Sequence, residues 1–66
     1  MFTLTARKIG SEHTGVVTGS HRQVVLDHLE ASAKRNGFEV TWNEPGVHGD
    51  ITRDGQIVAT WEVTVQ

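Results

Sequence analysis

Only residues 21–36 of this sequence space their apolar side chains for a helix; the longer stretches on either side of it alternate. A chain with one helix must build its core by laying that helix's apolar stripe on a sheet. One helix covers one face, so the other face is expected to meet solvent. Ser20 with Gln23 three residues on has the form of a capping box, and Gly37 supplies the residue that most easily ends a helix. Lys34 and Arg35 suit the negative end of the helix dipole. Arg22, Val25, Leu26, Leu29, Ala33 and Asn36 fall on one side, a core stripe with polar ends.

Before the helix, Phe2, Leu4 and Ala6 alternate with Thr3, Thr5 and Arg7; Gly10 to His13 read as a turn or loop and Val16-Val17-Thr18 as a second short strand in a hairpin, the alternative being one long strand with an irregular approach to the helix. After it come Phe38 to Trp42, the Pro45-Gly46 turn, and a long last strand from Gln56 to Gln66. On that strand Ile57, Ala59, Trp61, Val63 and Val65 share one face, with Val58, Thr60, Glu62 and Thr64 on the other. The Asp54-Gly55 turn decides register. A two-residue loop would pair Thr52 with Ile57 and place Asp50 and Thr52 on the apolar face. A three-residue loop pairs Thr52 with Gln56, sets Ile51 opposite Ile57, and keeps that face apolar, so it is the expected turn.

The predicted fold class is α+β: a single helix (about 21–36) packed on one face of a four- or five-stranded antiparallel sheet, in chain order β-β-α-β-β-β, with residues 1–66 forming a single domain. The expected core is Leu4, Ala6, Leu26, Leu29, Ala33, Phe38, Val40, Trp42, Ile51, Ile57, Trp61 and Val63. Thr3, Thr5, Thr41, Thr60 and Thr64 are expected on the wet face, where β-branched polar side chains suit a pleated surface. A chain of 66 residues buries only ~60% of its unfolded surface, so this core is thin. With no Cys, neither a disulfide nor a thiolate zinc site is available. With 36% apolar residues and no long apolar run, no membrane segment is expected.

A net charge of −2 gives no general attraction to nucleic acid. The charge is uneven: residues 1–36 carry five basic and three acidic side chains, residues 37–66 one basic and five acidic. The leading reading is two differently solvated surfaces of one domain; the sharper one is an acidic sheet surface offered to a basic partner.

Catalytic and metal-binding constellations are missing from the pattern. His21 and His28 stand seven apart, ~10.5 Å along a helix axis, too far to grip one ion. His48 and Asp50 share a strand face without an evident third ligand, and no metal or cofactor is expected. Ser20 is assigned to the cap, and no nucleophile elbow or phosphate-binding loop occurs. Trp42 and Trp61 are very large side chains for so small a domain; both are expected to fill the core unless one is exposed at a sheet edge. The last strand, long and little charged, would invite pairing as a free edge, so either the first strand or another subunit should cover it.

Two local resemblances carry other expectations. The segment 24–60, with its helix, Asn36-Gly37-Phe38, a strand, Gly46-Val47-His48 and the Asp54-Gly55 turn, resembles small RNA-cleaving toxins of the HicA type. That likeness implies a fold like a double-stranded-RNA-binding domain, with His48 at the position of the RNA-cutting His and Val47 where those toxins carry Ser. The segment 54–65 is similar to the last hairpin of dodecins, which implies a flavin-storing oligomer, with Glu62 where they carry a flavin-contacting Gln and Trp42 as a counterpart of their flavin-stacking Trp. More broadly, the preference for Arg over Lys and the style of Asp54 to Val63 resemble short uncharacterised proteins of actinobacteria and their phages, which implies a cytoplasmic accessory protein that binds a host or phage protein.

The residues themselves lead to a non-catalytic, accessory or regulatory protein-binding module, not an enzyme. It would act through its sheet face or edge at Trp42, Trp61, Glu62, Thr60 and Thr41, on a protein partner or as a homodimer through a sheet edge.

Overall fold

The computed structural model describes residues 1–65. Its elements are β1 (Phe2–Lys8), β2 (Thr14–Gly19), α1 (Arg22–Arg35), β3 (Glu39–Glu44), β4 (His48–Arg53) and β5 (Gln56–Val65). The five strands form one antiparallel sheet in the order β2-β1-β5-β4-β3. The α+β expectation, including the chain order of elements, is borne out. The first and last strands pair in the middle, Phe2 opposite Val65 through Lys8 opposite Ala59. The long final strand is therefore covered on both sides by its own chain. The edges are β2 and β3 instead.

The helix connects these two edges and so crosses the whole sheet. It starts beside β2, where a side chain at Gly19 would press within 3.1 Å of Val24 Cγ1 and 3.3 Å of Val25 Cγ1. Its end is the expected one: Gly37 takes φ +77°, its N–H donates to the Lys34 carbonyl at 3.2 Å, and the Phe38 N–H donates to the Ala33 carbonyl at 2.8 Å. These are the two bonds that satisfy a helix's last carbonyls when a left-handed residue follows it. The start differs. The N-cap is His21, with no side-chain cap bond, and Gln23 Nε2 donates to Asp27 Oδ1 at 2.7 Å instead of reaching back to Ser20. An i,i+4 partner on the helix surface has outcompeted the capping box.

Leu4, Val25, Leu26, Leu29, Ile51, Trp61 and Val63 form the buried cluster, with Ala6, Phe38 and Val40 partly buried against it. Two expected core members are not inside. Ile57 is 51% exposed and Trp42 is 38% exposed. The Ile57 result follows from the last hairpin, whose expected register is corrected. Its loop is two residues long, Asp54 at φ 52° and Gly55 at φ 79°, pairing Arg53 with Gln56 and Thr52 with Ile57. Positive φ at both central residues matches the twist of a tight hairpin. The apolar face is rescued by a register shift between Ile51 and Thr52, after which Ile51 faces Ala59 and Gly49 faces Trp61. This bulge turns Ile57 outward and Val58 inward, where it packs on the core. A bulge, not a longer loop, reconciles the turn with the pattern.

Between β3 and β4, Pro45 and Gly46 form the expected turn: Gly46 has φ +78° and the Val47 N–H donates to the Glu44 carbonyl at 2.9 Å. Pro at the second position and a positive-φ Gly at the third are the residues a type II turn requires.

Candidate functional site

Register divides the five expected site residues between the two faces of the sheet. Trp42 and Trp61 both lie opposite Gly49, on the helix face. Thr41, Thr60 and Glu62 lie on the open face. They cannot act as one surface. The structure makes two from them.

On the helix face the tryptophans are held by a glycine. Trp61, 2% exposed, crosses β4 at Gly49 and donates its Nε1–H to the Thr41 carbonyl at 3.3 Å. A Cβ at Gly49 would collide with that carbonyl oxygen and come within 2.9 Å of Trp61 Cζ2. Only glycine permits this passage, and the indole's polar atom finds its partner two strands away. Trp42 meets Trp61 edge to face, ring centroids 5.1 Å apart and planes at 77°. Its outer side borders a shallow recess with Glu30, Lys34 and Val40.

On the open face, alternation along every strand brings threonines together. All eight threonines of the chain occupy open-face positions in the register. One row across the sheet reads Thr14, Arg7, Thr60, Asp50, Thr41; the next reads Val16, Thr5, Glu62, His48, Glu44. Thr41, Thr60 and Glu62 are thus neighbours around Asp50. Thr41 Oγ1 donates to the Asp50 carbonyl at 3.3 Å, and Asn43 Nδ2 donates to Asp50 Oδ2 at 3.2 Å. The charge is polarised: Glu39, Glu44, Asp50 and Glu62 gather on β3 to β5, while Arg7 on β1 is the permanent cation of this face.

His48 stands in the acidic part, its Nε2 3.6 Å from Glu44 Oε2, with both side chains exposed. Glu62 is its cross-strand neighbour. Carboxylates on both sides of His48 oppose the approach of phosphate groups. Among the described residues no three His, Asp or Glu groups come together as a metal site. No helix of the described residues is long and apolar enough to cross a membrane.

Sequence reasoning did not find Gly49 or Asp50. Gly49 resembles any turn glycine until the strand order places it between two tryptophans. In the sequence Asp50 stands out only in the register of the last hairpin and as a neighbour of His48, and its central place depends on the pairing of β3, β4 and β5.

Comparison with known proteins bears on the whole chain. The sequence model described as "Mycobacterium phage Gp84-like protein" matches residues 1–66. The chain is 58% identical over 64 residues to the Gene 84 protein of Mycobacterium phage L5, covering 97% of each. It is 45% identical over 64 residues to the Gene 84 protein of Mycobacterium phage D29, again covering 97% of each. No solved structure matches it. The likeness to phage proteins is thereby borne out, while these matches lend no support to the toxin or dodecin resemblances.

Proposed function

This chain belongs to the Mycobacterium phage Gp84-like family, and from that premise we propose that it is a small non-catalytic accessory module that docks a protein partner in the cytoplasm of the infected cell. The observation that carries the reading is the open sheet face, where Thr41, Thr60 and Glu62 surround Asp50 beside His48 and Glu44. Short hydroxyl side chains on a rigid sheet offer hydrogen bonds at little entropic cost, and the gathered carboxylates favour a basic partner surface.

The test replaces Thr60 with a photo-crosslinking residue and exposes the protein to mycobacterial lysate. The expected result is one dominant crosslinked protein, lost in the Glu62→Arg variant and weakened as salt is raised. Crosslinks that are equally abundant in Glu62→Arg, with the fold intact by circular dichroism, would remove the open face as the docking surface.

A second reading concerns self-association. The β2 edge, Thr14 to Gly19, carries no charge, and Val16 on it is 60% exposed. The β3 edge has Glu39 and Glu44 at its ends and a register shift at Asn43, devices that discourage pairing. A homodimer would therefore join β2 to β2. Sedimentation equilibrium should then show a dimer that Val16→Lys converts to monomer; a wild-type monomer at millimolar concentration would end this reading.

A further inference from the structure

A cleft of about 550 Å³ opens on the helix face, away from the surface just described, between the C-terminal half of α1 and the sheet end where β1 and β4 stop. It exists because the facing positions are small: Ala6 and Ala59 on the sheet, Ala33 on the helix, and Gly15 at the β2 edge. Protein interiors close-pack, and a space this size lies within the ~300–1,000 Å³ range of small-molecule sites.

The cleft sorts its lining by depth. Its inner wall is apolar and reaches the core itself, since Leu29, Ala33 and Ile51 are buried residues. Its exposed rim carries Lys8, His13 and Arg53 and no carboxylate, in a chain that is acidic as a whole. None of these three has an ion-pair partner among the described residues; Arg53 lies over the Phe38 ring, 5.7 Å from its centroid. Lys8 and Arg53, cations without an ion-pair partner at the mouth of an apolar recess, complement one ligand chemistry. A peptide laid along β2 would meet only Thr14 and Gly15, whereas most of the lining belongs to α1, β1, β4 and β5. The occupant has to enter the recess.

We propose that this cleft binds a small amphipathic carboxylate, its apolar body against Ala6, Leu29 and Ala59 and its carboxylate between Lys8 and Arg53. Burial of the apolar body supplies the affinity, and the cations select the sign of the head group. The site is independent of the open face and of any partner docked there.

The test uses decanoate as the probe, with decyltrimethylammonium as its opposite-charge counterpart, each titrated into the ¹⁵N-labelled protein. Decanoate is expected to saturate below about 1 mM, a binding free energy near that of a small ligand. The shifted amides should be those of Ala6, Gly15, Ala33 and Ala59, and the ammonium amphiphile should bind at least tenfold more weakly. Lys8→Glu with Arg53→Glu should weaken decanoate about tenfold or more. Gly15→Leu, which adds a side chain where nothing lies within 4 Å of the Cβ, should block entry without disturbing the fold. Equal binding of the two amphiphiles would overturn the proposal. So would shifts confined to β2, which would indicate an edge-binding occupant, or decanoate affinity unchanged in both variants.

Discussion

One row of the helix face runs Trp42, Gly49, Trp61, Ala6, Gly15 across all five strands, and its two ends are built oppositely. On the β3 side two indoles meet edge to face over a glycine and leave a shallow recess between Trp42 and the helix. Toward β2, Ala6 and Gly15 form one wall of the cleft, which runs on past Ala59 and Ile51 to Phe38 and Arg53. A single helix crossing five strands cannot cover both sides equally. The protein closes one with aromatic bulk and leaves the other open, with basic side chains at its rim. The filled end should govern stability and the open end should tolerate change.

The largest effect is expected at the filled end. Trp61→Ala should cost about 3–5 kcal/mol, comparable to the whole stability of so small a domain, and urea titration should find little folded protein. Gly49→Ala comes next. Its methyl group would meet the Thr41 carbonyl and Trp61 Cζ2, so a loss of at least about 2 kcal/mol is expected, with faster hydrogen exchange of the Trp61 indole N–H. Trp42→Ala should cost only about 1–2 kcal/mol, because the ring is partly exposed and contributes mainly its pairing with Trp61; its loss should reduce the near-ultraviolet circular dichroism.

At the open end, Gly15→Val should be neutral or stabilising by up to about 1 kcal/mol, since it supplies strand propensity and apolar contact where there is space. A thermal shift downward by several degrees in Gly15→Val would show that the two ends are not different in kind.

Much of the fold was legible in the sequence where local chemistry dictates geometry. Asn36-Gly37 ended the helix as expected, Pro45-Gly46 made its turn, and the alternation in β1 and β5 separated two faces. Ser20 misled because a capping box is only one of the bonds open to Gln23, and Asp27 offered a closer partner on the helix surface. The Asp54-Gly55 turn misled for a different reason. Its dipeptide favoured a two-residue loop while the alternation demanded another register, and a bulge at Val58 satisfied both. A bulge leaves little local signature, since it costs one unpaired residue that almost any side chain can supply.

The site was less legible. The sequence marked Trp42, Trp61, Thr41, Thr60 and Glu62 as conspicuous side chains, but their grouping depends on which strands are neighbours. The cleft was not visible at all, because Ala6, Gly15, Ala33 and Ala59 become adjacent only when β1, β2, α1 and β5 are brought together.

By itself the sequence determined the element types, most of their turns and the apolar identity of one face, because periodicity and turn chemistry act over a few residues. Tertiary structure alone decided that β1 pairs with β5, that Gly49 lies beneath the crossing Trp61, and that eight scattered threonines share one surface. Those outcomes depend on strand order and register, which are set by contacts between residues as far apart as Phe2 and Val65.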